Sequence, residues 1–78
     1  MMTPRDIKKL LERSPFIPLR LHLTNGNVFE IKHPDFVWIF RSRLEVAVPA
    51  PEEEGILDHT EHISLLHLVR IEELPVAA

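Results

Sequence analysis

Apolar and polar residues alternate along positions 19–31, on both sides of an Asn-Gly pair. A period of two is typical of a strand with one buried face, and Asn-Gly between two such runs predicts a β-hairpin. A loop of residues 24–26 places Leu21 opposite Phe29, whereas a loop of the Asn-Gly pair alone places Leu21 opposite Glu30. We predict the three-residue loop, closed by its glycine in the left-handed conformation. The same register pairs Leu19 with Ile31 and Arg20 with Glu30.

The first residues carry the signals of a short helix. Thr3 can cap a helix that starts at Pro4, and Asp6 stands three positions after the cap, where a carboxylate can accept from free amides. Apolar residues then recur at helical spacing in one stripe, and Pro15 disfavours a helix at the residue before it. We predict a helix over residues 4–13. Its stripe must pack on a larger element, because a helix this short is unstable alone.

Residues 36–40 are five consecutive apolar residues and predict a further strand. Its three aromatic residues would share one face, and Val37 and Ile39 the other. We therefore expect this strand to be covered on both sides or to lie in an interface.

The second half of the sequence holds the remaining strands. Residues 44–48 alternate and predict a strand, and residues 49–55 (PAPEEEG) predict a solvated loop. The conformation of residues 55–62 stays open, because two apolar residues that could open a strand are followed by a polar run. Residues 66–68 form either a tight turn or a continuation of that strand. Residues 69–72 predict the last strand.

This order of elements is that of a mainly β protein. It predicts an N-terminal α-helix followed by a five- to six-stranded small antiparallel barrel of the Sm or SH3-like kind. A flat sheet of this length would leave two apolar edges exposed. We expect a single domain over residues 1–78, with the barrel over residues 18–73 and a mobile tail at residues 74–78.

Charge and composition exclude several classes of protein. Nine Lys and Arg stand against twelve Asp and Glu, so the formal net charge of −3 gives no overall attraction to phosphate or anionic lipid. A local basic patch is compatible with that total. The lack of cysteine excludes a disulfide framework and a thiolate metal site. No apolar run suits a signal peptide or approaches the ~20 residues of a membrane span, so we expect a cytoplasmic protein.

Two stretches carry a resemblance to a known family. IKKLLERSPFIPLRLHLTNG combines a helix, a proline-containing link and a strand that ends in Asn-Gly, and ISLLHLVRIEEL lies near the C-terminus. From Ile7 to Ile71 the sequence resembles the Sm-like (Hfq-like) family of small β-barrels, whose fourth and fifth strands pair between subunits to form rings. The resemblance implies a barrel, a homo-oligomer and RNA binding, with His62 as a loose parallel to the RNA-facing residues of that family. The sequence is also similar to short uncharacterised bacterial proteins with LHLT-D/N-G and SLLH-x-x-RIE stretches.

Five histidines invite a test for metal binding. His59 and His62 stand three apart, which places them on one side of a helix but on opposite faces of a strand. Residues 33–35 contain a His-Asp pair, but no nucleophile with a recognisable signature accompanies it, and Pro-Asp favours a turn. We therefore expect surface histidines, no enzymatic activity, no catalytic residue, no metal, no cofactor and no small-molecule substrate.

One cluster joins cations with aromatic residues, as sites for single-stranded nucleic acid do. Arg41 and Arg43 follow directly after Trp38 and Phe40. Core aromatic residues beside a hydrophilic turn give the same pattern, so both interpretations stay open. The candidate RNA contacts are Lys32, Trp38, Arg41, Arg43 and His62.

The last apolar run bears on assembly. If its alternation is unbroken, Leu66 and Leu68 lie away from the core and need cover, while its other apolar residues face inward. The helix or a tight turn would cover them in a monomer, whereas strand-edge pairing with another copy would also close the open edges. We predict a non-catalytic, self-associating interaction module, with Sm-like RNA binding as the alternative. The predicted oligomer interface is Ile63, Leu65, Leu66, Leu68, Val69 and Ile71.

Overall fold

The computed structural model describes residues 2–75. One helix precedes six strands, and a three-residue 3-10 turn leads into the third strand and another into the sixth. The elements are α1 (Pro4–Leu11), β1 (Leu19–Leu23), β2 (Val28–Ile31), the turn Pro34–Phe36, β3 (Val37–Ile39), β4 (Arg43–Pro49), β5 (Leu57–Ser64), the turn Leu65–His67 and β6 (Leu68–Glu73). The prediction of a mainly β chain with one N-terminal helix is confirmed.

The strands form two three-stranded antiparallel sheets. The first has the order β2-β1-β6 and the second the order β3-β4-β5. The turn Pro34–Phe36 joins β2 to β3, and the turn Leu65–His67 joins β5 to β6. Two short connections therefore link the first sheet to the second.

One cluster of buried side chains joins both sheets and the helix. Ile7 is the fully buried residue of α1, with 1% of its surface exposed, and Leu10 and Leu11 are partly buried against the same cluster. The helix is thus held by the sheets through its predicted apolar stripe. The other members of the cluster are Leu19, Leu21, Ile31, Val37, Leu44, Val46, Ile63, Leu65 and Leu68.

The hairpin between β1 and β2 has the predicted three-residue loop. Leu21 pairs with Phe29, and the φ angle of Gly26 is +87°, in the left-handed region. The amide of Gly26 donates to the carbonyl of Leu23 (3.0 Å), and the amide of Leu23 donates to the carbonyl of Asn27 (3.0 Å). The register prediction is confirmed, including the pairs Leu19 with Ile31 and Arg20 with Glu30.

The start of α1 is capped as predicted, but its end is earlier. Thr3 Oγ1 accepts from the amide of Asp6 (3.1 Å), and the Asp6 carboxylate accepts from the amide of Thr3 (3.0 Å). These bonds lower the pKa of Asp6, because they favour the charged carboxylate. Glu12 forms the C-terminal cap, with its amide donating to the carbonyl of Lys8 (3.0 Å), so α1 stops at Leu11 rather than at residue 13.

The strand predicted over residues 36–40 is shorter and is covered on one face only. Phe36 belongs to the preceding 3-10 turn, because Pro34 opens that turn and the amide of Phe36 donates to the carbonyl of His33 (3.2 Å). Val37 is buried, while Trp38 remains 48% exposed. Within the described residues, the outer face of β3 is therefore left for an interface or for solvent.

The polar run after residue 57 is a strand. β5 pairs with β4 over its length, from Leu57 opposite Pro49 to Ser64 opposite Arg43. Most of β5 is exposed, and only Ile63 is buried. Backbone pairing with β4 therefore supports a strand that side-chain periodicity did not indicate.

The last apolar run does not alternate without a break: a tight turn, one of the two alternatives for residues 66–68, is present over Leu65–His67, and the assignment of Val69 to the core is wrong. Leu68 is 5% exposed and belongs to the core, whereas Val69 is 58% exposed. Two features break the alternation: the turn Leu65–His67, and a register shift in which His22 pairs with Arg70 and Leu23 with Leu68. Val69 is the extra residue of this bulge, and the bulge inverts the faces of its neighbours.

The described chain continues past β6. The amide of Leu74 donates to the carbonyl of Pro18 (2.8 Å), which extends the pairing with β1. Of the mobile tail expected at residues 74–78, residues 76–78 lie outside the described residues. Within residues 2–75, no helix has the length and apolar character needed to cross a membrane.

Candidate interaction surfaces

Among the described residues, no strand pairs with the outer edges of β5 and β6, which we call the assembly edges. Each strand has one hydrogen-bonded neighbour, β4 for β5 and β1 for β6. Backbone groups of successive residues alternate between the two edges of a strand. The amide of Leu65 donates to the carbonyl of Ser42 (3.0 Å), so by alternation the backbones of Thr60 and His62 face away from β4. Similarly, the bond from Leu74 to Pro18 places the Ile71 backbone on the open edge of β6.

The six residues predicted for an oligomer interface divide into two groups. Leu66 and Val69 are 72% and 58% exposed, so their side chains are available to another molecule. The side chains of the other four are buried or partly buried in the protein's own core. These residues can therefore contact another molecule mainly through their backbone groups. These four are Ile63, Leu65, Leu68 and Ile71.

The outer face of the second sheet brings together several of the candidate RNA contacts. Trp38 lies opposite Glu45, and Glu45 lies opposite His62, so the three form a row across the sheet. Phe40 is 39% exposed beside this row. We call this surface the tryptophan face; its residues are Trp38, Phe40, Arg43, Glu45 and His62.

Charges on the tryptophan face are largely satisfied within the face. The Arg43 guanidinium lies 4.1 Å from the ring centre of Phe40, and its Nη2 donates to Glu45 (3.0 Å). His62 Nε2 lies 3.4 Å from the same carboxylate. Because Glu45 is central and negative, it weakens the attraction of this face for phosphate. Arg41 forms no ion pair with any described residue and lies in the turn beyond the face.

Lys32 is separated from the other candidate RNA contacts. It lines a cavity of about 320 Å³ together with Glu30, Glu53 and Glu54. Three carboxylates around one lysine make this cavity unfavourable for an anionic ligand. The five predicted RNA contacts therefore do not form one continuous site.

The outer face of the first sheet carries a network of charges. Arg20 donates to Glu30 (2.9 Å), as the register predicted, and Glu72 accepts from His22 (2.6 Å) and pairs with Arg70 (3.0 Å). The hydrogen bond from His22, followed by the nearby arginines, lowers the pKa of Glu72. The bond to Glu30 raises the pKa of Arg20. Cross-strand pairing explains this network without a ligand.

His59 is held between two carboxylates on β5. Its Nδ1 lies 2.7 Å from Asp58 and its Nε2 lies 3.0 Å from Glu61, and these bonds raise the pKa of His59. In a strand, His59 and His62 point to opposite faces, as predicted. Across residues 2–75, no group of three or more His, Cys, Asp or Glu side chains is placed to hold a metal ion.

A further cavity lies between α1 and β3, and the sequence did not predict it. This helix–β3 groove has a volume of about 520 Å³ and is lined by Pro4, Arg5, Lys8, Val37, Trp38 and Ile39. Arg5 and Lys8 are three apart and so share one side of the helix, which was the available signal. Tertiary packing decides which strand lies beside this side of the helix, and the sequence periodicity does not reveal that strand.

Searches against family models, curated proteins and solved structures found no match to this chain.

Proposed function

We propose that this chain is a non-catalytic interaction module that associates with further copies of itself through the assembly edges. The observation that carries the proposal is that β5 and β6 each present an unpaired edge, with eight and six residues in the strands. Open edges of this length readily pair with other chains unless something protects them. The exposed side chains of Leu66, in the turn before β6, and of Val69, the second residue of β6, would gain cover in such a contact.

We further propose that the two sheets form a small barrel of the Sm or SH3-like kind. Support comes from the shared core and from the two three-residue turns that link β2 to β3 and β5 to β6. In this arrangement, β5 of one copy pairs with β6 of the next. Such a head-to-tail contact uses two different surfaces, so it closes into a ring when the rotation between copies permits.

Light scattering coupled to size exclusion tests self-association directly. At micromolar concentration we expect a mass that is a multiple of 9.1 kDa, the mass of one chain. A particle of 9.1 kDa would overturn the proposal.

A matched pair of variants tests the edge itself. Thr60→Pro removes an outward-facing amide without removing a bond to β4, so it should shift the mass to that of the monomer. Thr60→Ala keeps the amide and should keep the wild-type mass. Circular dichroism checks that both variants fold; a folded Thr60→Pro variant with wild-type mass would exclude the β5 edge.

RNA binding is a second candidate, favoured by the exposure of Trp38 and Phe40 close to Arg41. Exposed aromatic rings can stack on bases while a cation contacts phosphate. Filter binding with uridine-rich and adenine-rich RNA over a salt series tests this candidate, since phosphate contacts weaken as salt rises. Trp38→Ala should weaken retention, whereas Val28→Ala, a truncation on the other sheet, should not. Absence of retention at low salt would rule the candidate out.

A further inference from the structure

The helix–β3 groove runs along the unpaired edge of β3. It touches Val37, Trp38 and Ile39 in succession. Val37 is buried in the core, whereas Trp38 is 48% exposed on the opposite face. Because successive side chains of a strand point to opposite faces, a space that touches all three residues lies beside the edge of the strand. β4 occupies the other edge, so the groove follows the open one.

The backbone of β3 presents free hydrogen-bonding groups to this groove. The amide of Phe40 donates to the carbonyl of Arg43 (2.9 Å), which places Phe40 on the edge that faces β4. By alternation, the backbone amide and carbonyl of Trp38 also face β4, and those of Val37 and Ile39 face the groove. Two amides and two carbonyls, spaced as in a strand, are therefore available to a further strand.

The walls of the groove select for negative charge. Arg5 and Lys8 line it from the helix, and among residues 2–75 no carboxylate lines it. Neither cation forms an ion pair with any residue in the range 2–75. The indole of Trp38 adds an apolar surface on the other side. An extended segment with carboxylate side chains could pair its backbone with β3 and its carboxylates with Arg5 and Lys8.

We propose that the helix–β3 groove binds an extended acidic peptide segment of a partner protein, which adds to the second sheet as a strand beside β3. The free backbone groups of Val37 and Ile39 form the ladder, and Arg5 and Lys8 pair with carboxylates of the peptide. A peptide is favoured over a nucleic acid because a nucleic acid has no backbone amides and cannot extend a β-ladder. This site is separate from the assembly edges, so it does not depend on self-association.

Amide hydrogen exchange of the full-length protein tests the ladder. The probe is a capped peptide of six alternating glutamate and valine residues, at saturating concentration. The Val37 and Ile39 amides should exchange roughly tenfold or more slowly, while the Trp38 amide, already bonded to β4, should change little. Protection without this alternation, or no protection at saturation, would overturn the proposal. The same peptide methylated at every backbone amide should not bind, because neither of its edges can then donate to the carbonyls of β3.

Charge variants test the walls, with tryptophan fluorescence as the measure of affinity. Trp38 is the only tryptophan in the chain, so its emission reports on the groove. The double variant Arg5→Glu and Lys8→Glu should weaken binding of the peptide by about tenfold or more. The control is Lys9→Glu with Arg41→Glu, which makes the same change in net charge outside the groove and should retain binding. Equal losses in the two double variants would show that only the net charge matters and would contradict the assigned site.

Two further probes exclude other occupants. A lysine–valine peptide of the same length should not bind, since it presents cations to Arg5 and Lys8. A uridine-rich oligonucleotide should neither protect Val37 and Ile39 nor displace the acidic peptide. An oligonucleotide that displaces it would assign the groove to nucleic acid. Peptide-free exchange that depends on protein concentration at these two amides would assign the groove to a second copy of the chain.

Discussion

Truncation of Ile7 measures how firmly the helix is held. Ile7 is 1% exposed and is the one side chain of α1 that is fully buried in the shared core. The change Ile7→Ala removes three carbons, worth roughly 2.4 kcal/mol of transfer free energy at about 0.8 kcal/mol each. A cavity adds to this cost, and its size depends on how far the surroundings collapse. Since α1 has eight residues and is anchored along one stripe, it can shift to fill part of the space.

We therefore expect Ile7→Ala to lower the free energy of unfolding by about 2.5–4 kcal/mol, within the range seen for such truncations. Urea denaturation followed by circular dichroism measures the change. The control Lys9→Ala is on the exposed side of the same helix and should stay within about 0.5 kcal/mol of wild type. A loss below about 1 kcal/mol for Ile7→Ala would refute the view that the helix is held by this residue.

Thr3→Ala should lower the free energy of unfolding by about 1 kcal/mol in the same assay, because it removes the cap acceptor for the Asp6 amide. Gly26→Ala should cost about 1 kcal/mol, since its φ of +87° strains any L side chain although the space around it is open; Gly26→Asn should recover part of the loss. The pKa of Glu72 is lowered in the folded chain, so its contribution is complete above the unfolded pKa and is lost as pH falls through the folded one. In Glu72→Gln, the free energy of unfolding should therefore fall less steeply as the pH is lowered through the acidic range, which urea denaturation at a series of pH values measures. The pKa of His59 is raised, so its contribution is present below the usual value of 6.5 and is lost as pH rises through the folded pKa; His59→Gln should flatten that side.

Local patterns predicted the elements whose causes are local. The hairpin register follows from a loop of three residues and a period of two, and the cap of α1 follows from Thr3, Pro4 and Asp6 alone. Neither needs knowledge of a distant residue. Both predictions are confirmed for that reason.

Features that depend on distant pairing escaped the sequence. β5 is a strand because β4 pairs with it, and its polar residues carry no period that reveals this. Leu68 points into the core and Val69 points outward, the reverse of the simple alternation, because a bulge against β1 shifts the alternation of faces by one residue. Neither residue type signals a bulge. The helix–β3 groove needs residues from two elements that only the tertiary fold brings together. Periodicity reports which face is apolar, but it does not report what lies beside it.

The bulge at Val69 makes two adjacent apolar residues unequal in their tolerance of substitution. Leu68 pairs with Leu23 and fills the interior, so a polar residue there should be rejected in any selection for folded protein. Val69 has no partner in β1 and projects outward, so most side chains should be accepted there at little energetic cost. Position 69 is accordingly a place where the surface chemistry of β6 can diversify without altering the fold.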